Sequence, residues 1–314
     1  MRPAFSVIFL TTLIGAGQGL FIALYVTELG AVLGAWSLPD APYFSLGCVL
    51  ALVLLAAGLA ASFFHLGRPE RAWRSAAMWR TSWLSREVIA LPVFMAAVAA
   101  FGLAHQLRGA GNMTLALGAA GLVLGLVLFV CTGMIYACVK FLQEWHTPLT
   151  VINYMLFGCA SGFLLATAWA AARAPALTST MALWAGAFTV VVLLTRLASL
   201  ARNARLKPKS TLQTAIGIKH PRIEQKSEGF MGGSFNTREF VQGRSSALLR
   251  AVRWAFLLLV FPLPLALLAA GVVLASPPLL AVAFALQYLG LLAERWFFFV
   301  QAKHPQNLYY QMIS

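Results

Sequence analysis

Eight uninterrupted apolar stretches, roughly 4–28, 43–64, 87–106, 114–138, 149–171, 181–201, 251–275 and 278–300, constrain this chain more than anything else in it. A helix that crosses the bilayer core needs about 20 consecutive apolar residues, and each stretch is of that order. The stretches do not alternate apolar with polar residues, as the strands of a membrane barrel would. With 61% hydrophobic and only 10% charged residues, against about 25% charged in an ordinary soluble domain, a soluble core is excluded. The expected fold is all-α: a polytopic membrane protein with eight transmembrane helices, forming a single integral domain over 1–314. The first stretch exceeds the apolar region of about 7–15 residues in a secretory leader, and its basic flank is Arg2 alone, so it reads as the first span. Ser276-Pro277-Pro278 marks a tight turn between the last two spans, and Pro262 and Pro264 interrupt the seventh.

The formal net charge is +14. On a soluble protein that balance would point to nucleic acid. Here the basic residues lie between the spans, so topology accounts for them and no nucleic-acid role is expected. An even number of spans puts both termini on one side, together with 21 of the 23 lysines and arginines; only Arg108 and Arg173 fall on the other. The short loop between spans two and three carries five arginines, and the loop between spans one and two carries none. The positive-inside rule then expects both termini in the cytoplasm, across a bacterial inner membrane. A basic cytoplasmic loop at about 203–249 is the one sizeable soluble piece. It reads either as a solvated linker near anionic lipid or, given Gly229-Phe230-Met231-Gly232-Gly233-Ser234-Phe235, as a docking segment for a cytoplasmic partner.

The four cysteines, Cys48, Cys131, Cys138 and Cys159, contain no C-x-x-C pair. They read as small buried hydrophobes, with no zinc or iron–sulfur site expected in this chain. A bis-histidine haem needs two inward histidines at similar depth. Of the five histidines, His65 ends span two on the cytoplasmic side and His105 ends span three on the other, about 30 Å away. His146, His220 and His304 lie outside the spans or at their ends. No haem is therefore expected. Ile14-Gly15-Ala16-Gly17-Gln18-Gly19 is not G-x-G-x-x-G and follows no strand. Within a span, such small residues let helices approach closely. Gln18 is the exception, an amide that needs a partner and is a candidate to line an internal site. Asn112-Met113-Thr114 matches a glycosylation sequon but sits too close to the membrane to serve as one.

Most of the chemistry lies in and around the stretch from His65 to Glu87, HLGRPERAWRSAAMWRTSWLSRE, with five arginines, two glutamates, a histidine and three tryptophans. Glu87, Lys140, Glu144, His146, Arg196, Glu294 and Arg295 are all expected near the cytoplasmic leaflet, ringing one polar cavity, with no acid or base at mid-span. Each has a bland account: Glu87 favours a helix N-terminus capped by Ser85, and Arg196 and Arg295 can snorkel. Together they suit a quinone head group. Its two-electron chemistry also moves two protons, and needs donors at the carbonyls and a titratable group near neutral pH, which a histidine and a carboxylate supply. The apolar spans would hold the isoprenoid tail, and Trp73, Trp79 and Trp83 suit the membrane interface. A secondary transporter is the competing class, but such proteins favour midplane sites and internal repeats, and neither is visible here.

His65-Leu66-Gly67-Arg68-Pro69 followed by Thr81-Ser82-Trp83-Leu84-Ser85-Arg86-Glu87 resembles the membrane-anchor subunit of dimethyl sulfoxide reductase and its relatives. The likeness covers essentially the whole chain. It implies a haem-free anchor that binds ubiquinone or menaquinone and exchanges electrons with an iron–sulfur subunit, itself wired to a molybdopterin catalytic subunit on the cytoplasmic side. It implies that the quinone-site residues fall on His65 and Glu87, with Arg68 and Arg86 beside them in the two motifs. Pro3–Phe9, the Gly217–Phe240 segment and Glu294-Arg295-Trp296-Phe297-Phe298-Phe299 are more similar to the anchor of cytoplasmic sulfite-oxidising molybdoenzymes. That likeness implies electron flow from sulfite into quinone, and the reductase likeness implies flow from quinol to a sulfoxide.

Overall fold

The computed structural model describes residues 4–64, 66–207, 210–223 and 246–303. Among these the chain is helical, with no strand. The helices are α1 (Phe5–Val32), α2 (Ala41–Phe63), α3 (Trp83–Arg108), α4 (Asn112–Ala137), α5 (Pro148–Arg173), α6 (Thr178–Ala204), the short α7 (Leu212–Ile216), α8 (Ser246–Val260), α9 (Pro262–Val273) and α10 (Pro277–Val300). Eight segments are long and apolar enough to span a membrane, α8 and α9 together making the seventh. The start of α1 and the loops α2–α3, α4–α5 and α6–α8 therefore share one side, called the basic face below. The break within the seventh span falls at Phe261 (φ −112°, ψ −82°), just before Pro262, because a proline cannot donate to the helical ladder.

α1 is the central helix. Of its 28 residues 18 are buried, against 7 of 23 in the lipid-facing α2. It packs on α2, α4, α5 and α10. The glycine run allows this. A Cβ on Gly19 would strike the backbone of Gly158 and Gly162, and one on Gly17 would come within 3.0 Å of the Ala51 carbonyl. Gly158 and Gly162 are four residues apart on α5, the small-xxx-small spacing that brings two helix backbones together. Close packing matters more here than in water, since lipid tails are as apolar as the side chains and leave dispersion as the main attraction between helices.

α3 starts earlier than its hydropathy suggests. Ser82, rather than Ser85, caps it, accepting from the Ser85 N–H at 3.3 Å. Glu87 therefore sits a full turn inside the helix and is buried. The loop before it forms a 3-10 segment over Pro69–Ala76. Of the long basic loop, residues 224–245 lie outside the described residues, as does the Gly229–Phe235 segment, so the choice between linker and docking segment stays with the sequence.

Candidate functional site

Two polar clefts open inside the bundle near the basic face, and one side chain lines both. The first, narrow, lies between α1, α3, α4 and α5. Glu87 and Thr132 face each other across it, the threonine hydroxyl donating to the Glu87 carboxylate. Thr11 and Gln18 line it from α1, Ile14, Gly15 and Phe129 supply an apolar wall, and Tyr154 closes one end. Gln18 donates its amide to the Gly125 carbonyl at 2.9 Å, so part of its polarity serves α1–α4 packing.

The second cleft, also narrow, lies between α5, α6 and α10 and reaches the basic-face residues Glu144 and Asn203. Its floor is one carboxylate held between two guanidiniums. Glu294 meets Arg196 at 2.9 Å and Arg295 at 3.5 Å, with all three side chains at most 5% exposed. Arg295 also lies over the Tyr154 ring, 3.6 Å from its centroid, a desolvated cation–π contact worth about 2 kcal/mol. A chain of hydroxyls and amides flanks the trio: Thr195 donates to Asn153 at 2.7 Å, and Asn153 donates to Ser199 at 2.8 Å. Tyr154 stacks on Tyr136 (5.3 Å between centroids) within an aromatic cluster completed by Trp145, Phe298 and Phe299. Its buried hydroxyl meets only the hydroxyl of Tyr136 among the described residues.

The residues singled out from sequence are distributed unevenly about these clefts. Glu87 and Gln18 come together in the first, and Glu144, Arg196, Glu294 and Arg295 in the second. Arg86 is directed elsewhere. It donates to the carbonyls of Trp79 and Arg80 (2.9 and 2.8 Å) and stacks over Trp83, bracing the loop. Arg68 is exposed at the start of the 3-10 segment, and Lys140 is also exposed. His146 directs Nδ1 to the Ala137 carbonyl. His65 and His304 lie outside the described residues.

The ionisable groups do not all gather at the basic face. Glu28 and His105, 0% and 1% exposed, meet at 3.4 Å at the far end of α1 and α3. Thr114, in the rejected sequon, donates to that same Glu28. His105 stacks on Phe44, 4.1 Å between centroids. Glu28 stands in the last turns of an apolar span, and sequence alone does not single it out. Only tertiary packing brings it to a histidine 77 positions away.

A family model described as "DMSO reductase anchor subunit (DmsC)" matches residues 1–300. The chain belongs to that anchor family. A relative from Allochromatium vinosum, named as a subunit of sulfite dehydrogenase, is 55% identical over 325 aligned positions that cover all of both chains. In this anchor the cleft residues that sequence does not single out include Thr11, Thr132 and Tyr154 in the first cleft and Thr150, Asn153 and Ser199 in the second. Hydroxyls and amides inside spans often bond their own helix backbone, as Ser161 and Thr167 do here, so residue type alone does not separate the two uses.

Proposed function

We propose that this anchor is the quinone-reactive subunit of a membrane-bound molybdenum/iron–sulfur oxidoreductase, and that it passes electrons between an iron–sulfur partner and a membrane quinone. The observation that carries the reading is the Glu87 cleft. A buried carboxylate, held by Thr132, faces an apolar wall across a narrow cleft between α1, α3, α4 and α5. A quinone supplies a flat apolar ring with two carbonyl oxygens, which take up two electrons and two protons on reduction. Ile14, Gly15 and Phe129 suit the ring. Glu87 holds or moves a proton beside a carbonyl oxygen, and Thr132 fixes the carboxylate's orientation. His65, two residues beyond α2, is assigned the second proton-handling role by its motif, with Arg68 and Arg86 shaping the loop between them. Sulfite is proposed as the electron source, on the full-length likeness to a sulfite dehydrogenase subunit. The family description favours a second direction, quinol oxidation toward a sulfoxide, through the same site. The membrane is proposed to be the bacterial cytoplasmic membrane, with the partners on the basic, cytoplasmic face.

The test is made on the purified complex. Glu87→Gln keeps the size of the side chain but cannot exchange a proton. General acid–base catalysis is worth about 10²–10⁴-fold, so sulfite-dependent reduction of a short-chain quinone should fall by at least about a hundredfold. Reduction of ferricyanide, which draws electrons from the partner subunits, should be unchanged. Full quinone-linked turnover in the variant would overturn the reading.

A further inference from the structure

The two clefts adjoin at a single residue, and the described interior beyond them is largely apolar. Tyr154 lines both the Glu87 cleft and the Glu294 cleft. Its hydroxyl is buried and meets only the hydroxyl of the stacked Tyr136, although a hydroxyl can both donate and accept. The second cleft continues to Glu144 and Asn203 at the basic face. Its polar walls suit water, which needs polar partners, and its free space is of the order that holds a single molecule.

In the other direction the character changes. Past Gln18, the fully buried rings of Phe21, Phe94 and Phe101 lock edge to face, Phe21 at 5.5 and 5.4 Å from the other two. On α3 every residue from 88 to 104 is apolar, glycine or proline, and on α4 the same holds from 115 to 130. The next ionisable pair, Glu28 with His105, lies beyond this layer. Along α1, Glu28 is ten residues from Gln18, about 15 Å by helical rise.

We propose that Tyr154 relays protons between Glu87 and the water of the second cleft, and that the phenylalanine layer seals the opposite route, so that quinone turnover exchanges its protons with the basic face alone. Glu294 is held between two guanidiniums and orients the cleft; the Tyr154 hydroxyl, on the residue that lines both clefts, is the group placed to hand a proton on. The balance is electroneutral. Sulfite and water give sulfate, two electrons and two protons on the partner's side. The quinone takes two electrons through the iron–sulfur partner and two protons from that same side. This proposal rests on the quinone reading above.

Two measurements on the intact complex test it. In liposomes with a trapped pH indicator and valinomycin, sulfite and a short-chain quinone are added outside, where only outward-facing complexes turn over. The expected result is steady turnover with no lumenal pH change. Lumenal alkalinisation in proportion to quinone reduced would overturn the seal. Second, Tyr154→Phe keeps the ring under Arg295 and removes only the hydroxyl. Quinone-linked turnover should fall about tenfold to a hundredfold and its solvent deuterium isotope effect should rise, with ferricyanide reduction unchanged. If Glu87→Gln is inactive with quinone while Tyr154→Phe matches the unaltered complex in rate and isotope effect, the relay is wrong and the quinone site stands. If Glu87→Gln is fully active, the quinone site itself falls.

Discussion

Glu294 shows how much one buried carboxylate can carry. It holds two guanidiniums that would otherwise face each other inside the bundle, with Arg196 already leaving Nε without a hydrogen-bond acceptor. Removing one partner of a buried ion pair costs about 3–5 kcal/mol, because the remaining charge stays desolvated and unpaired. Glu294→Ala should therefore lower the thermal unfolding midpoint of the detergent-solubilised protein sharply, or prevent its accumulation. Glu70 is the internal contrast. Its carboxylate meets Arg71 at 3.8 Å with both side chains at least half exposed, a kind of pair worth about 0–1 kcal/mol, and Glu70→Ala should leave the midpoint nearly unchanged. Equal midpoints for the two variants would mean that the Arg196–Glu294–Arg295 trio is not structurally important. By the same reasoning Glu28 and His105 hold α1 to α3 at the other end, with Thr114 on α4 as the third attachment.

At the scale of helices, stability depends on how closely α1 approaches its neighbours. A Cβ on Gly162 would fall on the backbone of Gly19 and Leu20. Backbone cannot move aside as a flexible side chain can, so Gly162→Ala should cost about 1–3 kcal/mol by overpacking. Gly186 on α6 has nothing within 4 Å of an added Cβ. There alanine should be neutral or stabilising, since glycine is about 1 kcal/mol worse in a helix interior. Thermal unfolding of the two alanine variants in the same detergent checks the contrast, and equal shifts would mean that α1 and α5 are not locked through their glycines. The eight spans and the break at Pro262 are legible in sequence, because a bilayer demands long apolar runs and a proline removes a helical donor. The packing role of the Ile14–Gly19 run is legible for the same reason. The start of α3 is less so: Ser82 and Ser85 are both good caps, and the choice depends on the path of the preceding loop. The pairing of Glu28 with His105 is not legible at all. It is set by the angle and register between α1 and α3, which hydropathy does not encode.

The whole molecule is polarised along the membrane normal. Among the described residues, two polar clefts occupy the basic end, an apolar aromatic layer fills the middle, and the Glu28–His105 contact closes the far end. The same axis carries the charge bias, with 21 of the 23 lysines and arginines assigned to one side. Positive residues resist translocation, so that bias orients the bundle, and the orientation decides which compartment the Glu87 cleft can serve. Both termini and the Pro69–Ala76 segment should therefore face the cytoplasm. A cysteine scan tests this directly. With the exposed native Cys138 replaced by serine, Arg74→Cys lies on the basic face and Met113→Cys, at the start of α4, on the opposite one. A membrane-impermeant maleimide added to intact cells should label the Met113 variant and spare the Arg74 variant, with the pattern reversed in inverted vesicles. The opposite pattern would place the clefts on the outer side. The iron–sulfur partner would then have to dock outside the cytoplasm, and the quinone's protons would exchange with that compartment instead.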